Sequence, residues 1–216
     1  MKLVKGIYFP DSDTHFENKI DGEGNYQRKQ FNTVLKYIKP EDRGLFIDVG
    51  AHVGLWSRMA QKAGFKDILA FEPDEDNYEC LDENIDEAFL CNFALSDEDG
   101  KALLVKEKQD NSGAKSLNAD GKWGEDDLIG VQCFDKHFHS IKDEFDLTKQ
   151  ILIKIDVQGY EAKVVRGMKK FIQEYKPIII VEQWLNGKED FEATMILKSY
   201  GMKTLEAVKK EVILGW

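Results

Sequence analysis

Residues 45 to 57, Leu-Phe-Ile-Asp-Val-Gly-Ala-His-Val-Gly-Leu-Trp-Ser, constrain the fold more than any other stretch of the chain. The apolar run Leu45 to Val49 stops at Gly50, and Gly54 then opens an amphipathic stretch, so a strand leads through a tight turn into a helix. At the carboxyl end of a parallel strand such a turn faces the ligand crevice of a doubly wound α/β sheet. Gly50 can take backbone angles closed to other residues and keeps no side chain between ligand and backbone, while Gly54 is expected to let the helix start close to the sheet. The helix N-terminus offers free amide groups. Asp48 is the departure inside the apolar run: a carboxylate suits a ligand carrying hydroxyls or an ammonium and would repel a pyrophosphate. The dinucleotide pattern G-x-G-x-x-G is not met, because His52 and Leu55 occupy its second and third glycine positions.

A second acid sharpens the reading. Ile68 to Phe71 reads as the neighbouring strand and ends in Glu72-Pro73. An acid about 20 residues past the glycine turn is placed to accept hydrogen bonds from both hydroxyls of a ribose. Two glycines, Asp48 and Glu72 together point to an adenosyl ligand without phosphates.

On these residues the chain resembles the class I S-adenosylmethionine-dependent methyltransferases. Within them it is most similar to the FkbM-type family, through Ile47 to Gly54, through Phe71-Glu72-Pro73, and through Ile153-Lys154-Ile155-Asp156-Val157-Gln158-Gly159-Tyr160-Glu161. The resemblance covers roughly residues 25 to 216. It implies a Rossmann-like fold: a doubly wound, mostly parallel seven-stranded sheet with an antiparallel last strand, helices on both faces and a small β insertion. It also implies S-adenosylmethionine as cofactor, held by Asp48, Gly50, His52, Gly54, Glu72 and Pro73. The tip of the third strand, with Asn92, Ala94 and Ser96 in the family's pattern, is expected beside the adenine. Family members are associated with O-methylation of saccharides or secondary metabolites, so a hydroxyl of a saccharide or small metabolite is the expected acceptor. The family often has glutamate where this chain has Gln158, which retains hydrogen bonding but cannot take a proton at neutral pH.

At 216 residues the chain reads as a single domain, 1–216, with an N-terminal segment and covering helix over 1–40 and an inserted lid over 101–135. Residues 1 to 24 are polar and turn-rich; Tyr8-Phe9-Pro10-Asp11 and His15-Phe16-Glu17 suggest a flap or a surface segment. Apolar spacing predicts a helix over Tyr26 to Ile38 that covers the sheet. Further helices are predicted over Leu55 to Ala63, Asp74 to Ile85, Ala162 to Tyr175 and Phe191 to Tyr200. Further strands fall at Leu90 to Leu95, Ile151 to Asp156 and Pro177 to Glu182, and Lys203 to Ala207 with Val212 to Trp216 forms a closing antiparallel pair. Between them, Lys101 to Lys106 and Leu128 to Phe134 read as two added strands joined by the Gly/Ser stretch Asn111 to Ser116, which would overhang the crevice.

A formal net charge of −10 argues against a nucleic-acid backbone as partner. Three cysteines without a C-x-x-C pair suggest neither a disulfide framework nor a zinc site and fit a reducing compartment. The first residues carry no apolar stretch of signal-peptide length and no run reaches spanning length, so a cytoplasmic protein without membrane contact is expected. A homodimer is compatible with the sequence.

Strand ends that deliver acids at Asp48, Glu72, Asp156 and Glu182 are better explained by one polar crevice than by chance. Methyl transfer to a hydroxyl needs an oriented acceptor and a group to take its proton. Asp156 is the first candidate for that catalytic role; Glu161, Glu182 and His137 follow. His137 and His139 flank Phe138 with no defined carboxylate partner, so no metal is expected. Two rival readings stand beside the methyltransferase: an NAD-type nucleotide-dependent oxidoreductase, against which the missing glycine and Asp48 count, and a non-catalytic S-adenosylmethionine-binding protein, which Gln158 favours.

Overall fold

The computed structural model describes residues 1–106, 111–113, 115–118, 127–185, 188–189 and 191–216. Its centre is a seven-stranded sheet: β1 (Arg43–Val49), β2 (Asp67–Phe71), β3 (Phe89–Cys91), β4 (Gln150–Ile155), β5 (Ile178–Glu182), β6 (Lys203–Val208) and β7 (Glu211–Gly215). The spatial order is β6-β7-β5-β4-β1-β2-β3. β3, β2, β1, β4 and β5 run parallel, and β7 pairs antiparallel with both β5 and β6. The expected architecture is therefore present, and the order reverses between β1 and β4, where a doubly wound sheet opens its ligand crevice.

Both faces of the sheet are covered, which is why the central strands read as apolar runs, interrupted by Asp48 in β1 and Lys154 in β4. Leu45, Ile47 and Val49 of β1 point to one face, together with Ile153 and Ile155 of β4, and pack against α4 (Phe134–Ile141), α5 (Glu161–Gly167), α6 (Lys169–Tyr175) and α7 (Glu192–Ser199). Phe46 and Leu152 point to the other face, where α1 (Arg28–Leu35) and α2 (Leu55–Lys62) supply Phe31, Val34, Trp56 and Met59. Each such fully buried side chain contributes about 1.5–3 kcal/mol. The period of two places Asp48 and Lys154 on this second face, and β1 and β4 pair them directly across the ladder.

Several boundaries differ from the sequence reading for physical reasons. The first helix covers only Arg28–Leu35, because Gln27 before it has φ 52° and breaks the helix there. The third strand stops at Cys91, and Ala94–Ser96 pairs instead with Asp127–Cys133 in a second sheet. That sheet also holds Gly100–Lys106 and Lys115–Asn118, so the inserted segment has one strand more than its two alternating runs suggested. The helix expected over 162–175 is two helices. Gly167 ends α5 pressed on the next sheet, where a Cβ would lie 2.0 Å from the Ser96 carbonyl oxygen. α4 was not foreseen; Phe134 and Phe138, one turn apart, bury their rings in stacked contact. The N-terminal residues form a hairpin, Lys2–Val4 with Ile7–Phe9, whose Ile7 and Phe9 pack on Cys80 of α3 (Glu75–Asn84).

Candidate active site

A cavity of about 340 Å³ opens at the carboxyl ends of β1, β2, β4 and β5. Its floor is Val49 to His52 with Glu72 and Pro73; Ala94, Leu95, Leu104 and Leu117 form an apolar wall. His15, Phe16, Tyr26 and Gln27 from the N-terminal segment and Asn111 to Gly113 from the inserted segment roof it.

The glycine turn is shaped by close packing of backbone on backbone. Gly50 has φ 76°, and a Cβ there would stand 2.1 Å from the Asp156 carbonyl oxygen. Gly54, with φ 82°, caps α2, and a Cβ there would meet Leu81 and Ile85, so this glycine admits α3 rather than bringing α2 onto the sheet. The Gly50 and Ala51 amides both donate to the Phe71 carbonyl, which fastens the turn to β2. Beneath it, Lys154 donates to the Gly50 carbonyl at 2.8 Å, and its Nζ lies 3.4 Å from Asp48 and 3.9 Å from Asp156. Asp48 is wholly buried and accepts from Ser57 Oγ at 2.7 Å. Burial pushes the Asp48 carboxyl up and Lys154 opposes this; the neighbouring carboxylates raise Lys154 despite its own burial.

Glu72 stands at the second strand tip. Its Oε2 accepts from the His52 amide at 2.8 Å and its Oε1 from the Asp74 amide at 3.0 Å. Burial outweighs these donors and pushes its pKa up to about 7. Asn77 Nδ2 reaches Glu72 Oε1 at 3.4 Å and the Ser112 carbonyl at 3.1 Å. A chain of polar contacts ties the roof to the floor. Asp13 is fully buried and accepts from the Ser112 amide at 2.9 Å and from the Ser112 hydroxyl, and that hydroxyl stands 2.5 Å from His52 Nε2. The hydroxyl proton is directed at Asp13, so His52 Nε2–H donates to Ser112. Burial raises Asp13, but the donors from Ser112 and Phe16 outweigh it and hold the carboxyl low. Burial lowers His52 to about 4, so its ring is neutral. A buried Lys115–Asp74 ion pair makes a second tie.

The far end of the cavity is acidic. Asp156, Gln158 and Glu182 line it, and Gln158 Nε2 donates to Asp156 Oδ1 at 2.8 Å and to Glu182 Oε2 at 3.2 Å. Oxygens of Asp156, Glu161 and Glu182 lie within 4.8 Å of one another. That spacing would suit a shared cation, but N–H groups already hold these oxygens: the Gln158 amide, and the Val157 and Gly159 amides that donate to Glu161. Burial and the nearby Asp156 charge raise Glu182 well above the usual carboxylate range. Glu211, opposite Glu182 in the ladder, is also raised by burial and accepts from Gln27 and Gln30. Tyr26, on the wall, is pushed up to about 12 by burial and by Asp156.

Of the residues expected to hold a cofactor, the cavity brings together Gly50, His52, Glu72, Pro73 and Ala94. Asp48 lies under the floor, Gly54 behind it, and Asn92 anchors the Glu72 carbonyl from outside; Ser96 bonds its neighbour Asp97. Of the catalytic candidates, Asp156 and Glu182 line the cavity. Glu161 is buried beside it as a staple of its own turn, and His137 is 3.7 Å from the Cys91 sulfur among Phe71 and Phe93, away from the cavity. Sequence reasoning missed Lys154, Tyr26 and Asn77. Lys154 did carry a signal, since a lysine inside the run Ile151 to Ile155 is as anomalous as an acid.

Residues 48–203 match the family described as Methyltransferase FkbM domain. The chain belongs to that family. The hexuronic acid methyltransferase AglP of Haloferax volcanii is 22% identical over 144 residues, covering 65% of this chain and 56% of AglP. The methyltransferase sdnD of Sordaria araneosa is 25% identical over 169 residues, covering 64% of this chain and 65% of sdnD. This FkbM-family chain thus spans between half and two thirds of the length of these curated relatives. The crystal structure of methyltransferase FkbM from Methylobacillus flagellatus KT superposes with a TM-score of 0.52 at 17% identity, over 81% of this chain and 44% of that one, and shares the fold. Among the described residues no helix is long and apolar enough to cross a membrane.

Proposed function

We propose that this FkbM-family chain is a methyltransferase that uses S-adenosylmethionine and methylates a hydroxyl of a saccharide or small metabolite. The observation that carries the reading is the polarity of one cavity: an apolar wall beside the Glu72 carboxyl, and Asp156 with Glu182 at the other end. Leu95, Leu104 and Leu117 would hold a flat neutral heterocycle, Glu72 would accept from ribose hydroxyls, and the acidic end would suit a cationic group. S-adenosylmethionine, when bound, would supply a sulfonium-activated methyl group. The chain supplies placement and a proton acceptor: Asp156 receives the acceptor hydroxyl's hydrogen bond and then its proton. Three buried, unpaired cysteines accord with a reducing cytoplasmic setting.

Calorimetric titration of the purified protein with S-adenosylmethionine, S-adenosylhomocysteine and NAD tests the cofactor. Binding of the first two without NAD is expected, and a screen of labelled methyl transfer to neutral and acidic saccharides then identifies the acceptor. Binding of NAD alone would overturn the proposal in favour of an oxidoreductase; cofactor binding with no transfer to any acceptor would leave a binding protein.

A further inference from the structure

The sequence departure at Gln158 has a defined place in the geometry. Gln158 sits in the left-handed region, φ 54°, on the turn between β4 and α5. A non-glycine residue there carries a backbone cost that glycine would avoid. The turn carries its side chain to the carboxyl groups of two different strands, with one amide nitrogen reaching both. The amide is neutral, so it can bridge two carboxyl groups without adding to the repulsion that a glutamate would bring.

We propose that Gln158 is a positioning residue: its side-chain amide clasps Asp156 and Glu182 into one hydrogen-bonded unit, so that a single acceptor hydroxyl meets both carboxyl groups. The inference deepens the methyltransferase reading and rests on it for the role of the hydroxyl. Two carboxyl groups this close do not both ionise readily, and one proton stays with the pair. Glu182 holds it: burial, the Asp156 charge and a direct side-chain hydrogen bond with Asp156 all raise its carboxyl. Asp156 then accepts the hydroxyl proton while its partner remains neutral. The groups that face the pair are Lys154 of β4 itself, Asp48 of β1, Glu161 of α5, Glu211 of β7 and Tyr26 of the N-terminal segment. Lys154 is the cation in that set that lies against Asp156, and it is shared with Asp48.

Carboxyl-carbon NMR titration of the uniformly labelled full chain tests the clasp without requiring the acceptor. In the wild type the Asp156 carboxyl-carbon signal is expected to move with an inflection where Glu182 titrates. Gln158→Met, similar in length and without the amide, should reduce that inflection at least several-fold. Gln158→Glu should move the pair's upper titration further toward alkaline pH. The spectra also report whether each variant is folded, and either variant suffices. Asp156 and Glu182 curves in both variants that superimpose on the wild type would overturn the clasp. If the wild type bound no S-adenosylhomocysteine while the variants still uncoupled the pair, the methyltransferase reading would fall and the clasp would stand.

Discussion

Gly50→Ala isolates the close approach on which the site is built. The substitution has two costs, and a second glycine separates them. Gly64 has φ 86° with open space around a Cβ, whereas Gly50 has φ 76° and a Cβ position 2.1 Å from the Asp156 carbonyl oxygen. Gly64→Ala therefore measures the left-handed backbone alone, about 1–2 kcal/mol. Gly50→Ala adds overpacking of roughly 1–3 kcal/mol, for a total of about 2–5 kcal/mol. Ordinary contact, which begins at 3.4 Å, would require the Asp156 carbonyl to retreat by at least about 1.3 Å. The Asp156 amide, bonded to the Val49 carbonyl, resists that retreat. Urea denaturation of the two variants and the wild type, with linear extrapolation, reads the difference directly. Equal losses for Gly50→Ala and Gly64→Ala would refute the argument, because the clash term would then be absent. In an active preparation a shift of that size at Asp156 should cost turnover at least about 10²-fold.

Three further outcomes follow from the buried polar groups. Glu72 has its folded pKa raised from 4.5 to about 7, so the stability it favours is present at acid pH and is lost as pH rises through about 7. A ligand hydroxyl donating to its carboxylate lowers that pKa, so S-adenosylhomocysteine binding should release protons near pH 6.5 and none at pH 8.5; calorimetry in buffers of different ionisation enthalpy measures this, and equal proton release at both values would remove Glu72 from the binding set. Lys154→Met leaves Asp48 buried with Ser57 as its remaining donor and should cost about 3–5 kcal/mol, with most of it recovered in the Asp48→Asn/Lys154→Met pair; denaturation showing the double variant no better than the single would count against the ion pair. Ser112→Ala removes the hydroxyl between Asp13 and His52 and should destabilise by about 1–3 kcal/mol and speed S-adenosylhomocysteine release in stopped-flow displacement; an unchanged release rate would show that this tie does not hold the roof.

The central sheet was legible because its signals are local. Each parallel strand except β3, which runs into Asn92, is an apolar run ended by an acid or a glycine, and the amphipathic stretches around them have helical spacing, so the order of the sheet's strands along the chain followed from pattern. The lining of the candidate site was legible at the strand tips for the same reason: Glu72, Asp156 and Glu182 each stand where an apolar run stops. Asp48 stands one residue of pleat away from the strand tip and outside the cavity lining. It lies inside β1 on the face shared with Phe46, so it turns under α2 to Lys154 instead of up into the cavity. Tyr26 and Asn77 left no trace, because their place at the cavity depends on contacts between segments far apart in sequence. The break at Gly167 was equally invisible: the glycine is required by the Ser96 carbonyl, which belongs to a different sheet.

Backbone strain gives an independent reason to read the cavity as the working part of the molecule. Among the described residues seven non-glycine positions have positive φ, and Lys5, Glu87, Lys176 and Lys209 of these fall in surface turns and helix ends. The other three, Gln27, His52 and Gln158, all line the cavity. Glycine would take each of these conformations without the cost of about 1–2 kcal/mol. Each instead carries a polar side chain that bonds distant elements: Gln27 accepts from Trp56 and donates to Glu211, His52 reaches Ser112, and Gln158 spans Asp156 and Glu182. Strained residues persist where surrounding contacts over-determine them, and such positions concentrate at ligand clamps and active sites. A residue type that the turn geometry disfavours is accounted for by its side chain, and in all three places that side chain acts at the wall of the same cavity.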